Sequence, residues 1–470
     1  MREYGWPARA AVVLVTVLLA GVALNGCSAE PVSEVTIFGP WTDEEQAEFE
    51  AVLKKFEEYS EEASEKDPGK TPRVKTRYEG HRDVSQVLQV AIERGRPPDV
   101  VVLPRLNDLQ QYVNAGRLVP LTNVLGADAA PQLIKLAPKS GSDGPTVAYG
   151  VAMATHLKSV VWYDPAQLAT FGPQPPRTWP ELVAQTKRRA GDQQVRWCLA
   201  MSSQPVSGWP GTDWIEDILL HHFGQDTYQS WTSGKLAWTS DEVKSSWTTW
   251  GELLDASSPG TDLASLYTTL KMAAKGLLAD ETPADGTPPG STAARRCHLD
   301  HQGSFAIREY RKHVATSPSP AFSFFPTPAP ADKLANSSLQ EVSDDVAAMF
   351  RDTGPAGQLM KYLAGEAAQK ARRDTAAEVA FSRRTTPLEE YKDPVTRAVA
   401  QRLRTATLCW DGSDLLPAVM ATAFERAVMV YLKDRSRLDS LLAELDALRA
   451  KVPESDWMDL SCVPAAKEGT

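Results

Sequence analysis

The sequence predicts an α/β protein built on a parallel sheet with helices packed against it. Three observations carry that expectation. Over about the first quarter of the chain, strand-like and helix-like stretches alternate regularly, as in parallel α/β folds. "PPDVVVLP" holds an unbroken apolar run, Val100–Leu103, as a strand covered on both faces requires. At 470 residues the chain is too long for one hydrophobic core, and about two to three domains are expected.

In order, "EVTIFGP" alternates with Val35 and Ile37 facing inward, a half-buried strand. A helix follows from Thr42, which with Glu45 has capping-box spacing; Phe49, Val52, Leu53 and Phe56 form its apolar stripe. "RVKTRYEG" is a second strand. "DVSQVLQVAIERG" is a second helix with Val84, Val87, Leu88 and Ala91 inward. The Val100 run is the third strand, and the helix after it ends at Gly116. Farther on, "RTWPELVAQTKRRAG" is a helix capped by Thr178, "VRWCLAMS" a buried strand, and "HQGSFAI" and "FSFFPTP" two more strands. A tryptophan-rich helical region spans 209–255, and the chain from Gly354 onward is mostly helical.

The N-terminus reads as a secretory leader. Arg2 and Arg9 precede an uncharged apolar stretch, Ala10 to Leu24, shorter than the ~20 residues a spanning helix needs. "LNGC" resembles a bacterial lipobox through Leu24, Gly26 and Cys27; Asn25 departs from it, a small residue being usual there. The expectation is a signal peptide over 1–26, lipidation of Cys27, a tether over 27–30, and a mature protein anchored on the outer face of the cell membrane. Four cysteines then remain in an oxidising compartment: Cys198, Cys297, Cys409 and Cys462. Of the three possible connectivities, Cys198–Cys297 with Cys409–Cys462 is expected, the second pair tying the C-terminal tail to the body. There is no CxxC, which argues against a zinc ribbon or a thioredoxin-like site.

A net charge of −10 argues against nucleic acid as a partner, because phosphate binding needs a basic surplus. No cofactor and no metal site is expected. His298 and His301 are three apart, but in a strand-like segment they would face opposite sides. His221 and His222 end a helix, where a protonated imidazole suits the dipole.

Several segments together carry a family resemblance: "VTIFGPWTDEEQAEFEAVLKKFE", "YEGHRDVSQVLQV", "GRPPDVVVLP", "LQQYVNAGRLVPL", "YGVAMATHLKSVVWYDP", "RTWPEL", "GWPGTDWIED" and "DGSDLLPAV". Their order resembles the extracellular solute-binding proteins of bacterial ABC importers, in the sugar- and maltose-binding group, and especially the α-glucoside binders of actinobacteria. The resemblance implies a two-lobed periplasmic-binding-protein-like fold of type II, with the ligand in a cleft closed by hinge bending. It implies lobe one at 31–146 plus 301–350, lobe two at 147–300 plus 351–463, and a tail at 464–470. It implies a small-molecule carbohydrate and ABC permease subunits as partners, a monomer, and no chemistry done on the ligand.

A sugar site needs flat aromatic faces and a few fixed polar groups. At the strand ends, where such sheets bind ligands, the candidates are Trp41, Glu79, Arg82 and Arg105. Trp41 could equally staple its own helix, Arg82 could pair with a helix-start carboxylate, and Arg105 could be a plain surface charge. Trp209 precedes Pro210, which predicts an extended backbone and a ring free of helix packing; Asp213 then follows a cap at Thr212. Trp214, Trp231, Trp238, Trp247 and Trp250 fit a core better. Asp345 and Arg383 match positions where the family carries polar contacts. Trp410 and Asp411 complete the set. In "DGSD", Asp411 and Asp414 read either as an acid/base pair or as a helix cap formed by Ser413 or Asp414. Two other readings compete with transport: a sensor lipoprotein of the same fold, and a secreted glycosidase using that aspartate pair; departures from the family at Arg105, His298 to Gln302 and Arg383 also leave open a non-sugar solute.

Overall fold

A computed structural model describes residues 32–67, 71–125, 133–137, 146–172, 174–190, 193–203, 207–257, 261–278, 297–314, 322–375, 381 and 387–465. The expected signal peptide, Cys27 and Arg383 lie outside these residues.

The alternating N-terminal segments form strands β1 (Ser33–Gly39), β2 (Val74–Gly80) and β3 (Val100–Leu103), with both neighbours parallel to β1. Next come β4 (Leu133–Leu136), β5 (Val147–Leu157), β6 (Val160–Tyr163), a short hairpin of β7 (Arg189–Ala190) and β8 (Gln193–Gln194), β9 (Leu299–His301), β10 (Ser323–Pro326), β11 (Leu339–Met349) and β12 (Thr407–Trp410). One sheet runs in the order β2-β1-β3-β11-β5-β4, with β12 also beside β11. A second, smaller sheet has the order β10-β6-β9.

Two long antiparallel strands, β5 and β11, link the lobes. Residues 339–342 of β11 pair with β12, and residues 346–349 pair with β3. Between these halves, at Asp345/Val346, the register against β5 slips. A slip of this kind bends a strand and re-aims its side chains. Gly150 of β5 lies against Val346, whose Cγ1 would stand 2.3 Å from any added Cβ, so the strands meet there only because the residue is glycine.

The lobes have separate cores. In lobe one, Val35, Ile37, Val100 and Val102 of the sheet pack against Phe49, Val52 and Phe56 of the helix Asp43–Lys66. The helices Gly354–Ala364 and Glu366–Thr375 join the same core through Leu359, Leu363 and Ala371. In lobe two, Trp231, Trp238, Trp247 and Trp250 surround Phe424 and Tyr431, and Trp214 joins the same core against Trp197, the core role the apolar spacing assigns them. Trp162, Ala306, Ile307, Tyr310 and Phe322 build a second layer with Val399 and Leu403.

This packing differs from the expected lobe boundaries. The described segments 301–314 and 322–338 pack in lobe two, and 354–375 packs in lobe one. The physical reason is that β11 is itself a crossing, so the chain lies in lobe two before Asp345 and in lobe one after it.

Other local expectations are also revised. "VRWCLAMS" is buried but makes only a bridge, Trp197 to Leu299. After β9, "GSFAI" turns into a 3-10 turn, Ser304–Ala306, and the helix Ile307–Arg311. The capping box is not formed: Thr42 is the N-cap residue without a side-chain cap bond, and Glu45 turns instead to Arg82 and Arg308. Both expected disulfides, Cys198–Cys297 and Cys409–Cys462, are present. Among the described residues no helix is long and apolar enough to cross a membrane.

Candidate ligand-binding site

Side chains of both lobes meet in a continuous arc at the register slip. Asp345, the last residue before it, accepts a hydrogen bond from Trp41 Nε1 at 3.2 Å and lies 3.1 Å from His156 Nε2. Trp41 leaves the carboxyl end of β1 and is fixed by Tyr78, whose hydroxyl accepts from its N–H at 3.1 Å and donates to its carbonyl at 3.0 Å. The guanidinium of Arg372 stacks 4.0 Å from the Trp41 ring centroid. Burial lowers the Arg372 pKa to about 10, so it stays charged at neutral pH, and a desolvated cation on an indole is a favourable pair.

From His156 the arc passes into lobe two. Phe305 sets its ring edgewise to His156 and to Trp209, each at 5.7 Å between centroids. The Lys158 ammonium lies 5.0 Å from the Trp209 centroid. It donates to Asp213 Oδ2 at 2.7 Å and lies 2.9 Å from Asp411 Oδ2. Lys158 reaches this place from the turn between β5 and β6, where Ser159 has φ 54°, a left-handed conformation strained for a non-glycine residue. That turn is held down: Ser159 Oγ accepts from Glu341 N at 3.3 Å, and its carbonyl accepts from Thr327 N at 3.0 Å.

The charges are strongly coupled. Burial alone would discharge Lys158, but Asp213 and Asp411 outweigh it and hold the ammonium well above its usual pKa. For Asp411, burial is outweighed by Lys158 and Ser413, and its carboxyl is held below the usual range. Burial pushes Asp213 up to about 6 despite Lys158. Glu216 is pushed well up by burial, with Asp411 and Asp213 adding to the effect. Asp213, Glu216 and Asp411 offer oxygens within 4.8 Å of one another, a spacing that could hold a metal ion. Lys158 already binds two of the three, and Glu216 Oε2 accepts from Ser413 N at 3.0 Å.

Of the residues singled out in the sequence, Trp41, Trp209, Asp213, Asp345 and Asp411 meet in this arc. Trp209 does so by a different route from the one predicted. The helix spans Trp209–Phe223 and begins at Trp209 itself, because Gly208 turns the chain with φ 104° and Pro210 sits in the first turn. The ring is therefore held by a helix start and not by an extended segment, and the cap expected at Thr212 lies inside the helix.

The other candidates lie elsewhere. Trp410 is buried among lobe-one and C-terminal residues, including Leu106, Leu415 and Met458. Glu79 pairs with Arg77 and lines an outer groove of about 450 Å³ with Arg96 and Arg351. Arg82 bonds Glu45 at 3.0 Å on the rim of the cleft. Arg105 lies 3.8 Å from Asp108; burial would lower its pKa, but Asp108, Glu425 and Asp414 outweigh it and raise it. It is thus not a plain surface charge.

The aspartate pair has a structural role. Asp411 Oδ1 accepts from Ser413 Oγ at 2.8 Å and from Asp414 N at 3.2 Å, so Asp411 is the cap and not Ser413 or Asp414. His221 is buried against Asp217 at 3.3 Å, and burial lowers the His222 pKa to about 4, so His222 is neutral where a protonated ring was expected. His301 bonds Asp217 at 2.7 Å and stacks on Trp214, while His298 Nδ1 accepts from Arg196 N.

Sequence reasoning missed His156, Lys158, Phe305 and Arg372. Lys158 had a visible signal: it is the one cation between two apolar strands in "GVAMATHLKSVVWY". Arg372 had none, being one of several basic residues in an ordinary helix.

A family model described as bacterial extracellular solute-binding protein matches residues 40–370. The chain belongs to that family. This solute-binding protein is therefore a receptor and not an enzyme. It is 27% identical to an osmoprotective compounds-binding protein of Synechocystis, over 87% of this chain and 92% of the relative. It is also 27% identical to an alpha-glucosides-binding periplasmic protein of Rhizobium meliloti, over 86% of this chain and 84% of the relative. Solved structures with its fold include a chitin oligosaccharide binding protein, at TM-score 0.70 and 17% identity over 89% of this chain and 98% of that one. Another is the bacterial solute receptor AcbH, which prefers β-D-galactopyranose, at TM-score 0.69 and 16% identity over 89% and 98%. Both carry the type II two-lobed architecture that the sheet and hinge strands of this chain display.

Proposed function

We propose that this solute-binding protein captures a carbohydrate, an oligosaccharide or α-glucoside, in the arc between its lobes and delivers it to an ABC permease. The observation that carries the reading is the meeting of Trp41, Asp345 and His156 with Trp209, Lys158, Asp213 and Asp411 across the hinge. Indoles suit the C–H faces of a sugar ring, and carboxylates and imidazole suit its hydroxyls. The relative named for binding α-glucosides supports the same class. The protein acts as a monomer held on the outer face of the cell membrane by lipid on Cys27.

A thermal-shift screen of the soluble domain against mono-, di- and trisaccharides tests the ligand class. A bound sugar raises the melting temperature, by an amount equivalent to ~2.7 kcal/mol at a hundredfold excess over Kd. Stabilisation by an amino acid, polyamine or phosphodiester with no response to any sugar would overturn the assignment. For the anchor, Cys27→Ser should abolish palmitate labelling and release the protein from the membrane; undiminished labelling would remove Cys27 as the acylated residue.

A further inference from the structure

We infer that Arg308 and Lys312 clasp the lobes together at the cleft rim and hold the closed form without ligand. Arg308 belongs to the helix Ile307–Arg311, rooted in lobe two by Ile307 and Tyr310. Its partners lie on lobe one, in the first turns of Asp43–Lys66. The guanidinium forks onto Glu48, with Nε 3.2 Å from Oε1 and Nη2 2.6 Å from Oε2, and Nη1 reaches Glu45 Oε1 at 3.1 Å. Lys312 lies 2.6 Å from Glu44 Oε2. A planar two-pronged pairing of this kind fixes orientation as well as distance.

Three features set the Arg308 contacts apart from casual surface pairs, whereas Lys312 is more open and also pairs with Glu309 beside it. Arg308, Glu45 and Glu48 are only 20–25% exposed, so their attraction is less screened than that of open pairs. Glu45 stands where a capping box would use it, yet it faces Arg308 and Arg82, and Thr42 makes no side-chain cap bond. The opposite rim is joined by neutral hydrogen bonds instead: Asn107 Nδ2 donates to the Leu415 and Asp456 carbonyls, and Asn114 donates to that of Ser455. Direct charge pairing therefore joins the lobes at the Arg308 rim, while on the opposite rim Arg105 adds only the longer-range attraction of Glu425 and Asp414.

A clasp of this kind raises the resting population of the closed form. For a ligand that binds the closed form best, the apparent Kd is the intrinsic value divided by that population. This consequence for affinity rests on the proposed binding function; the clasp itself does not.

Small-angle scattering of the ligand-free mature protein tests it. At low salt the wild type should be compact and Arg308→Gln expanded. High salt should expand the wild type to match the variant and leave the variant unchanged. Exchanging the charges, with Arg308→Glu and Glu48→Arg together, should restore compactness. Far-ultraviolet circular dichroism and the unfolding midpoint show whether each variant is folded, and Lys312→Gln is the alternative if Arg308→Gln is not. Equal dimensions of folded variant and wild type at low salt, with no response of the wild type to salt, would overturn the clasp. With a stabilising sugar in hand, Arg308→Gln should weaken binding severalfold without slowing association. Sugar binding without a scattering difference rejects the clasp alone. A scattering difference without sugar binding rejects the carbohydrate reading alone.

Discussion

The Lys158 ammonium stands 2.9 Å from the Asp411 carboxylate, joining the exit of β5 to the turn that follows β12. The same ammonium binds Asp213 in the first turns of the Trp209–Phe223 helix. One buried cation thus ties a hinge strand to two separate elements of lobe two.

Replacing Lys158 with Met should therefore destabilise the protein by ~3–5 kcal/mol, because buried carboxylates lose their counter-charge. Urea unfolding measures this. Adding Asp213→Asn and Asp411→Asn should recover much of the loss. A Lys158→Met protein within about 0.5 kcal/mol of the wild type would contradict the electrostatic account.

Glu216 and Asp411 should respond differently to neutral isosteres. Burial and the neighbouring carboxylates favour the neutral form of Glu216, so Glu216→Gln, which keeps an acceptor for Ser413 N, should change stability little. Asp411 is ionised against Lys158, so Asp411→Asn should be clearly destabilising. Unfolding midpoints of the two variants give the comparison, and the reverse order would refute the opposite effects of the site on the two carboxyls.

Asp300 supplies a pH dependence. It is fully buried, and burial pushes its carboxyl up to about 7, opposed by the bond it accepts from Tyr310 at 2.9 Å. A raised folded-state pKa means that the folded protein binds the proton more tightly. The stabilisation is complete below the ordinary Asp value of about 4 and is lost as pH rises through about 7. Asp300→Asn should remove this slope, and should be more stable than the wild type at and above neutral pH. His222 slopes the other way: its pKa falls to about 4, so its contribution is lost as pH drops below the ordinary His value. The test is therefore the difference between the variant and wild-type curves from pH about 4 to about 8. Parallel curves would rule out a protonated Asp300.

The first three strands and their helices were legible because periodicity reports burial directly, as in Val35–Ile37 and the Val100 run. The tryptophan core was legible for the same reason. What escaped were features set by partners distant in sequence. Glu45 has capping-box spacing, but the local motif gives way to Arg308, which reaches it from the other lobe. Trp209 precedes a proline, but the left-handed Gly208 starts the helix there. His222 sits at a helix end that favours charge, but burial overrides the dipole. Trp41, Trp209 and Asp411 converge because they lie at element ends, Asp213 because it follows within the first turns of its helix, and Asp345 because the register slip in β11 falls there; the cations that complete the arc, Lys158 and Arg372, come from elements whose periodicity reports only their apolar faces.

The crossings at β5 and β11 also constrain the order in which the protein can be made. The helix Asp43–Lys66 packs on Gly354–Ala364 and Glu366–Thr375, so the earliest part of lobe one waits for chain synthesised far later. Phe424 and Tyr431 complete the tryptophan core of lobe two later still. Contacts this distant in sequence slow folding. A nascent chain stopped before β11 lacks the central strand of the large sheet and part of both cores, so neither lobe can be completed until most of its length has emerged.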